Sequence, residues 1–285
     1  MRRTILLTAL SIAIGAVSAH ATTVITPSSM GNWSLFTTDN ASNTPGSGSG
    51  TGTAAIGTAP VVQTDGSGSV QLATGPNHGD ESAQLRDSGE AGTLLTALTT
   101  LSYSTYTTAS NGGTPPGVSV SQDTYLKFYL SNGDEIIFEP TYGDGGDVAN
   151  PNGSQAVPAF DTWQNWDLLK GMWYSDNGDF GTGPGSNSVS WQTIIADEGS
   201  GVTIVNPSST LGGVRIAVGF ASAGNDFNSY VDDFTIGTAA GSATYNFEPD
   251  SVTAVPLPAS AWSGLALLSG LALFGGVKRL RQLHA

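Results

Sequence analysis

The 285-residue sequence contains no cysteine and few basic residues. Without cysteine no disulfide, thiolate metal site or cysteine nucleophile is available, so a hydrophobic core or bound ions must hold the fold. Nine lysines and arginines stand against 23 aspartates and glutamates. Between positions 22 and 255 the basic residues are four, Arg86, Lys127, Lys170 and Arg215, against all 23 acids, a formal charge of −19. This charge argues against nucleic-acid binding, because phosphate contacts depend on clustered lysine and arginine.

Histidine is scarce as well, with His20, His78 and His284 the three in the chain. Only His78 lies away from the ends, so a metal site built from several histidines is excluded. A Ser-His-Asp triad would need His78 as its base, and no G-x-S-x-G motif supplies a nucleophile. We therefore expect a non-enzymatic protein, although a glycosidase, which needs only two facing carboxylates, stays open among so many acids.

The N-terminus has the pattern of a secretory signal peptide. Arg2 and Arg3 precede a short apolar stretch, and Ala19 and Ala21 form an A-x-A cleavage site. The stretch is short for a membrane anchor, and small residues follow it directly. We predict a signal helix within residues 1–21, export through the Sec translocon, and cleavage after Ala21.

The C-terminus carries a second apolar segment. Residues 259–277 are 19 consecutive residues without a charge, and as a helix they would reach roughly 28 Å, close to the hydrocarbon thickness of a bilayer. A basic cluster follows this predicted transmembrane helix, at Lys278, Arg279 and Arg281. Positive charge flanks both apolar segments on their outer sides, so the positive-inside rule places both ends in the cytoplasm and exports the region between them.

The C-terminal segment begins with Val255, Pro256, Leu257, Pro258 and Ala259. This motif, followed by a membrane span and a basic end, resembles the PEP-CTERM class of bacterial sorting signals, in its VPLPA variant. The resemblance implies recognition by an exosortase of a Gram-negative bacterium and an inner-membrane intermediate. It also implies removal of the tail within 255–285 and delivery to the cell surface or extracellular matrix.

The region 22–254 has the pattern of a β-sandwich. Short alternating or β-branched runs are bounded by Gly, Asn, Asp and Pro, which is typical of strands and turns. We predict strands at Trp33–Thr37, Ser69–Ala73, Ala83–Arg86, Thr99–Tyr106, Thr124–Leu130, Glu135–Glu139, Trp166–Leu169, Val202–Val205, Val214–Phe220, Tyr230–Ile236 and Ala243–Phe247. An Asn132-Gly133 pair predicts a hairpin turn, and Ser190 and Gly199 predict the cap and end of one short helix. The chain is thus expected to be all-β, a jelly-roll-like antiparallel sandwich with one short helix, between a signal helix and a transmembrane helix.

The end of this region resembles the closing strands of surface proteins in the same sorting class. It is also similar to those of jelly-roll carbohydrate-binding and concanavalin-like modules. The matching stretches are Leu211–Phe220, Tyr230–Gly237 and Ala243–Pro249. The resemblance implies a fold more than an activity, since such folds host many functions.

Calcium is the predicted structural cofactor, because carboxylates and carbonyls on loops suit a hard cation. No EF-hand loop is present, and the best candidates for one site are Asp232 and Glu248 with Asp226. In the stretch from 230 to 234, alternation puts Asp232 on the same face as Tyr230 and Phe234. Asp233 lies on the other face. One aspartate therefore faces an apolar layer and needs a partner or an ion. The alternative is that such Asp and Asn residues are ordinary turn formers on an acidic surface.

Glycan binding would use exposed flat aromatic rings. Trp173 and Tyr174 follow a glycine and precede Ser-Asp-Asn-Gly, which predicts a loop tip and contact with a glycan, while Trp166 and Trp191 are predicted to fill the core. Three hypotheses follow. The protein is a surface or biofilm-matrix protein with little specific chemistry, a carbohydrate-binding module that holds exopolysaccharide, or a glycan-active hydrolase; we favour the first.

Overall fold

The computed structural model describes residues 21–38, 52–63, 66–74, 81–108, 124–140, 158–176, 188–209, 211–219 and 227–250. By its contacts the chain divides into two units, Met1–Pro249 and Asp250–Ala285, and the fold below is that of the first unit. Ala19, His78, Asp226 and the sorting segment 255–285 lie outside the described residues. No helix within the described ranges is both long and apolar enough to span a membrane.

Fourteen strands and one α-helix occupy these ranges. In chain order the strands are β1 (Ala21–Ile25), β2 (Trp33–Thr38), β3 (Thr53–Thr58), β4 (Gly68–Ala73), β5 (Ser82–Asp87), β6 (Leu98–Thr107), β7 (Tyr125–Tyr129), β8 (Glu135–Phe138), β9 (Trp163–Asp167), β10 (Met172–Ser175), β11 (Val189–Ser190), β12 (Val214–Gly219), β13 (Asn228–Thr238) and β14 (Gly241–Phe247). The helix α1 (Trp191–Glu198) lies between β11 and β12, and short 3-10 turns at Leu95–Ala97 and Leu168–Lys170 precede β6 and β10.

The strands form two seven-stranded sheets. Sheet II runs β11-β10-β8-β7-β12-β5-β2 and is antiparallel throughout. Sheet I is centred on β13, with β6 and then β9 along one edge. The other edge of β13 is divided between β4, followed by β3, and β14, followed by β1. Among these strands only β1 and β14 pair in parallel. Sheet I therefore forks where β4 ends its pairing with β13 and β14 begins.

The apolar faces of the two sheets meet in one core. Leu72 and Phe234 of sheet I and Leu85 and Phe128 of sheet II are all fully buried in it. Trp33 of β2 contacts the opposite sheet edge-on, with its ring centroid 5.5 Å from that of Phe234. Each large apolar side chain buried in this way contributes roughly 1.5–3 kcal/mol. The predicted all-β sandwich with one short helix is confirmed.

Two local predictions agree with the fold. Gly133, in the turn between the paired strands β7 and β8, has φ +99°, a conformation that glycine adopts without strain. At the start of α1 the side-chain oxygen of Ser190 accepts a hydrogen bond from the Thr193 backbone N–H at 3.3 Å. Gly199 follows the helix with φ +84°. Both features depend on residues close together in the chain, so the sequence alone was sufficient to predict the turn and the ends of the helix.

Other predictions differ from the fold. The predicted strand Val202–Val205 is not a strand and makes only isolated bridges at Thr203 and Ile204. Strands β1, β3, β10 and β11 were not expected. β3 consists of small and polar residues, Thr-Ala-Ala-Ile-Gly-Thr, so its propensity is weak and its pairing with β4 supplies the strand.

The alternation expected around Asp232 is broken by a bulge. Between Asp232 and Thr235, β13 has one residue more than the facing stretch of β6, and Asp233 has φ +51°. The extra residue shifts the side-chain pattern by one position. As a result Val231 and Phe234, predicted on opposite faces, are both fully buried.

Candidate ligand-binding face and acidic cluster

Three of the four basic residues between positions 22 and 255 lie side by side on sheet II. Arg215 of β12 is paired with Arg86 of β5 on one side and with Lys127 of β7 on the other. The residues that alternate with them, such as Leu85 and Ile216, face the core. Alternation therefore places the three cations on the outer face of the sheet. We call Arg86, Arg215 and Lys127 the cation row.

The cation row is buried although it lies outside the core. Arg86 and Arg215 are each 1% exposed to solvent, and Lys127 is 6% exposed. Lys127 Nζ is 2.7 Å from Glu135 Oε2 and also contacts Asp176 Oδ2. Burial and Arg215 would lower the pKa of Lys127, but the two carboxylates outweigh them and raise it. Lys127 is thus a paired buried cation.

The Arg86 guanidinium has a different environment. Its Nε donates to Gln84 Oε1 at 3.0 Å, its Nη1 to the Gly212 carbonyl at 3.2 Å, and its Nη2 to the Tyr129 hydroxyl at 3.2 Å. Burial lowers the pKa of Arg86. All three acceptors are neutral, so the hydrogen bonds hold the guanidinium in place without neutralising its charge.

Three partly exposed aromatic rings, those of Phe36, Tyr125 and Tyr129, lie against the cation row. The Arg86 guanidinium carbon is 5.6 Å from the centre of the Phe36 ring and 5.0 Å from that of Tyr129. The Arg215 carbon is 5.3 Å from the centre of the Tyr125 ring. Cation–π contacts at these distances orient the rings. Burial would raise the pKa of Tyr129, but the neighbouring Arg215 and Arg86 outweigh it and lower the pKa.

The acidic cluster, Asp232 and Glu248, lies at the fork of sheet I. Asp232 Oδ1 accepts from the Phe247 backbone N–H at 2.9 Å, and its Oδ2 from Gln63 Nε2 at 3.1 Å. The Glu248 oxygens both accept from the Ser67 backbone N–H, at 3.1 and 3.3 Å. Burial raises the pKa of Asp232 to about 8, with further contributions from the charges of Asp233 and Glu248. The structure therefore brings together two of the three predicted calcium ligands.

The calcium site at this cluster stays a prediction. A calcium cage needs six to eight oxygen ligands, and each described carboxylate oxygen of Asp232 and Glu248 also accepts an N–H hydrogen bond. Within the described residues no group of three or more acidic or histidine side chains is arranged to hold a metal. Asp226, the third candidate, lies outside them. The cluster acts as a hydrogen-bonded connection between β13, β14 and the segment before β4.

The predicted loop-tip position of Trp173 and Tyr174 is wrong. Both residues belong to β10, and Trp173 is fully buried while Tyr174 is 8% exposed. The Trp173 ring packs 5.8 Å from Phe128 and 5.1 Å from Trp191, and its Nε1 donates to the Leu168 carbonyl at 2.8 Å. The Gly-containing sequence before them starts an inner strand rather than a loop, so neither ring is presented to a glycan in this structure.

Neither the cation row nor its rings were among the residues predicted from sequence. A signal was present, because Arg86, Lys127 and Arg215 each fall inside a predicted strand and lysine and arginine are rarely buried. Their common face depends on strand pairing between positions more than forty residues apart, which no local pattern contains.

The sequence matches no protein-family model, and no curated protein is significantly similar to it. A solved structure that matches is the family 11 carbohydrate-binding module of a cellulosomal cellulase of Clostridium thermocellum. It covers 73% of this chain and 88% of its own, at 9% sequence identity and a TM-score of 0.35. A likeness at this TM-score carries no argument, and the architecture described above rests on the strand pairing alone.

Proposed function

We propose that this is an exported, non-enzymatic surface protein that binds polysaccharide on the outer face of sheet II. Sorting by an exosortase is proposed from the sequence of both ends, and a jelly-roll-like topology from the spacing of the strands. The polysaccharide proposal is carried by one observation. Three partly exposed rings, those of Phe36, Tyr125 and Tyr129, lie together on this face and are oriented by the buried cation row.

Such a face has what saccharide recognition requires. Flat rings pack against the apolar faces of sugar rings. The rings are held before any ligand arrives, since Tyr129 accepts from Arg86 and Tyr125 accepts from Arg215. Ordering of side chains on binding costs roughly 0.5–1.5 kcal/mol each, so rings that are already ordered favour affinity.

The other hypotheses have weaker support in the described residues. A glycosidase needs two carboxylates facing each other across a cleft, and the oxygens of Asp232 and Glu248 are instead buried and taken by N–H donors. A matrix protein without specific chemistry would not need a buried cation row. If no polysaccharide binds, the hypothesis of a matrix protein without specific chemistry is the one that remains.

The test of the binding face is affinity electrophoresis in gels that contain the exopolysaccharide of the producing bacterium. Phe36→Leu removes a ring from the face while keeping an apolar side chain, and we expect about tenfold weaker retardation, or roughly 1.4 kcal/mol. Trp163→Leu is the matched control, because Trp163 is also a partly exposed aromatic residue but lies on β9 of sheet I. Equal loss in both variants would contradict the assignment of the site to sheet II.

Sorting is tested separately. Replacing Pro256 and Pro258 by Ala, or Lys278, Arg279 and Arg281 by neutral residues, should leave the full-length protein in the inner membrane. Fractionation followed by mass measurement checks this. Arrival of either variant at the surface with the processed mass would rule out exosortase sorting through this segment.

A further inference from the structure

Asp87 and Glu90 are two neighbouring acids, which we call the acid pair, at one end of the sandwich. Among the residues that the structure describes, the ion pairs are made by Lys127 and Lys170, and none of them includes either member of the acid pair. Burial raises the pKa of both acids, and the charge of Glu90 contributes to the increase at Asp87. Oδ2 of Asp87 is buried without a hydrogen-bond partner. A cation beside the acid pair would offset the repulsion between the two charges.

Glu90 can be reached from solvent. It is partly exposed and lines an open cavity of about 390 Å³ at the turn between β13 and β14. Leu98, Ile236 and the first residues of β14, 241–243, also line this cavity. Of the described residues around it, Glu90 is the one that carries a charge. The cavity therefore gives a positively charged group access to the Glu90 carboxylate.

Strand β1 brings the predicted signal-peptide cleavage site to the same place. β1 pairs in parallel with β14, so that Ala21 lies opposite Ala243 and Thr23 opposite Tyr245. Ala243 lines the cavity, and burial together with the charges of the acid pair raises the pKa of Tyr245. Neighbouring strands are about 4.8 Å apart. The backbone nitrogen of Thr22 is therefore one strand spacing from a stretch of β14 that borders both the cavity and the acid pair.

Cleavage after Ala21 changes the charge of that nitrogen. Water adds across the peptide bond between Ala21 and Thr22, its hydroxyl to the carbonyl carbon and its hydrogen to the nitrogen. The new carboxyl group then loses a proton and the new amine gains one. An α-amine ordinarily has a pKa of about 8, so it is mostly protonated at pH 7. The exported chain thus has an ammonium group where the precursor has a neutral amide.

We propose that the Thr22 ammonium formed by signal-peptide cleavage pairs with Glu90, so that processing supplies the cation that the acid pair lacks. This inference goes beyond glycan binding and rests on the predicted cleavage after Ala21. In β1 the side chain of Ile25 is buried, while those of residues 22–24 are exposed. The ion pair therefore holds the end of β1 that the core does not hold, and it links this strand to the connection between β5 and β6.

The test uses the exported protein recovered from the producing bacterium, and its N-terminal residue is read first. The rate at which acetic anhydride acetylates the α-amine is then measured between about pH 6 and pH 10, with mass spectrometry of the N-terminal peptide as the readout. Relative to Glu90→Gln, we expect the profile of the parent to be displaced upward by about one pH unit, which is about tenfold slower acetylation at pH 7. Asp167→Asn removes a surface carboxylate beside Lys170 and should keep the parent profile.

A second variant keeps the ammonium and moves it. Two glycines inserted after Ala21 displace the amine by about 7 Å along the chain, and its profile should match that of Glu90→Gln. If the parent and the insertion variant gave equal profiles, or if the exported chain did not begin at Thr22, the proposal would be overturned while glycan binding was left intact. The insertion variant also decides the matter should Glu90→Gln not fold.

Stability gives an independent readout. Acetylation of the parent should lower its midpoint of urea unfolding, because the ion pair is lost. Acetylation of folded Glu90→Gln should leave the midpoint nearly unchanged, since no carboxylate is present at that position. Equal decreases in both proteins would mean that the ammonium does not act through Glu90.

Discussion

Buried ionisable groups are held by different partners in the two sheets. At the fork of sheet I, the carboxylates of Asp232 and Glu248 accept from the backbone N–H groups of Phe247 and Ser67. On sheet II, the Arg86 guanidinium is held by one carbonyl and two neutral side chains and lies between aromatic rings.

The surroundings of Glu248 and of Arg86 also differ. The chain before β4 is shaped around Glu248, since a Cβ on Gly66 would lie 1.5 Å from Glu248 Oε1 and one on Gly68 2.2 Å from the Phe247 carbonyl. At Arg86 the three hydrogen-bond acceptors are neutral, and two N–H groups of the guanidinium make no hydrogen bond within the described residues. The comparison teaches that the two sheets hold buried ionisable groups with different partners, backbone N–H groups at the fork of sheet I and mainly neutral side chains at Arg86 on sheet II.

The largest effect is expected at the acidic cluster. Asp232→Ala leaves the Phe247 N–H and the Gln63 amide without their acceptor, and we expect a loss of about 4 kcal/mol in the free energy of unfolding. Asp232→Asn keeps the oxygen that accepts from Phe247 and should lose about 1 kcal/mol. Urea denaturation at pH 7 measures both, and glycan binding of the folded variants should be unchanged. The unfolding midpoint of the parent should be equal in calcium and in chelator; a midpoint that depends on calcium would show that this cluster binds the ion.

Asp87, at the end of β5, is a buried acid that is only partly hydrogen-bonded, unlike Asp232 and Glu248. Its Oδ1 accepts from the Gly89 N–H at 2.9 Å, while its Oδ2 is buried without a hydrogen-bond partner. Burial, with a contribution from Glu90, raises the pKa of Asp87 to about 6, against about 4 in an unfolded chain. The folded protein therefore binds more protons between these values, and stability falls as pH rises from about 4 to about 6, by at most about 3 kcal/mol.

Asp87→Asn should remove this part of the pH dependence. Denaturation midpoints at pH 4, 5, 6 and 7 check it, with Asp167→Asn, on the surface beside Lys170, as the control. The raised pKa of Asp232 adds a fall with pH that should persist in Asp87→Asn. A slope that does not decrease at all in Asp87→Asn would mean that Asp87 does not contribute.

The smallest effect is expected on the cation row. Tyr129→Phe removes the hydroxyl that accepts from Arg86 at 3.2 Å and from Arg215 at 3.4 Å, yet keeps the ring. The loss of stability should be about 1 kcal/mol, because the site is partly exposed. Tyr245→Phe, in β14 of sheet I, is the control, because the Tyr245 hydroxyl makes no hydrogen bond within the described residues. A loss for Tyr129→Phe as large as that for Asp232→Ala would remove the distinction between the two regions.

Much of the fold was predictable because it depends on short-range signals. The Asn132-Gly133 turn and the Ser190 cap are set by adjacent residues, and most strands have regular alternation. The bulge at Asp233 was not predictable, since it depends on the register between β13 and β6. The burial of Trp173 depends on Phe128 and Trp191, which come from other parts of the chain.

The candidate site was hardly predictable from sequence. Asp232 and Glu248 were identified because acidic residues near a closing strand stand out, but their N–H donors come from Ser67 and Gln63, far away in the chain. The cation row required the pairing of three strands. The sequence signal that pointed to it was the position of each of these basic residues inside a predicted strand.

The central claim is that this protein binds polysaccharide. The most direct measurement is the mobility of the unaltered protein in native gels with increasing amounts of the exopolysaccharide of its own bacterium. Retardation that increases with polymer concentration, and that free polymer fragments reverse, is the predicted result. Mobility that does not change at any concentration would contradict the claim and leave a structural role in the surface layer or matrix.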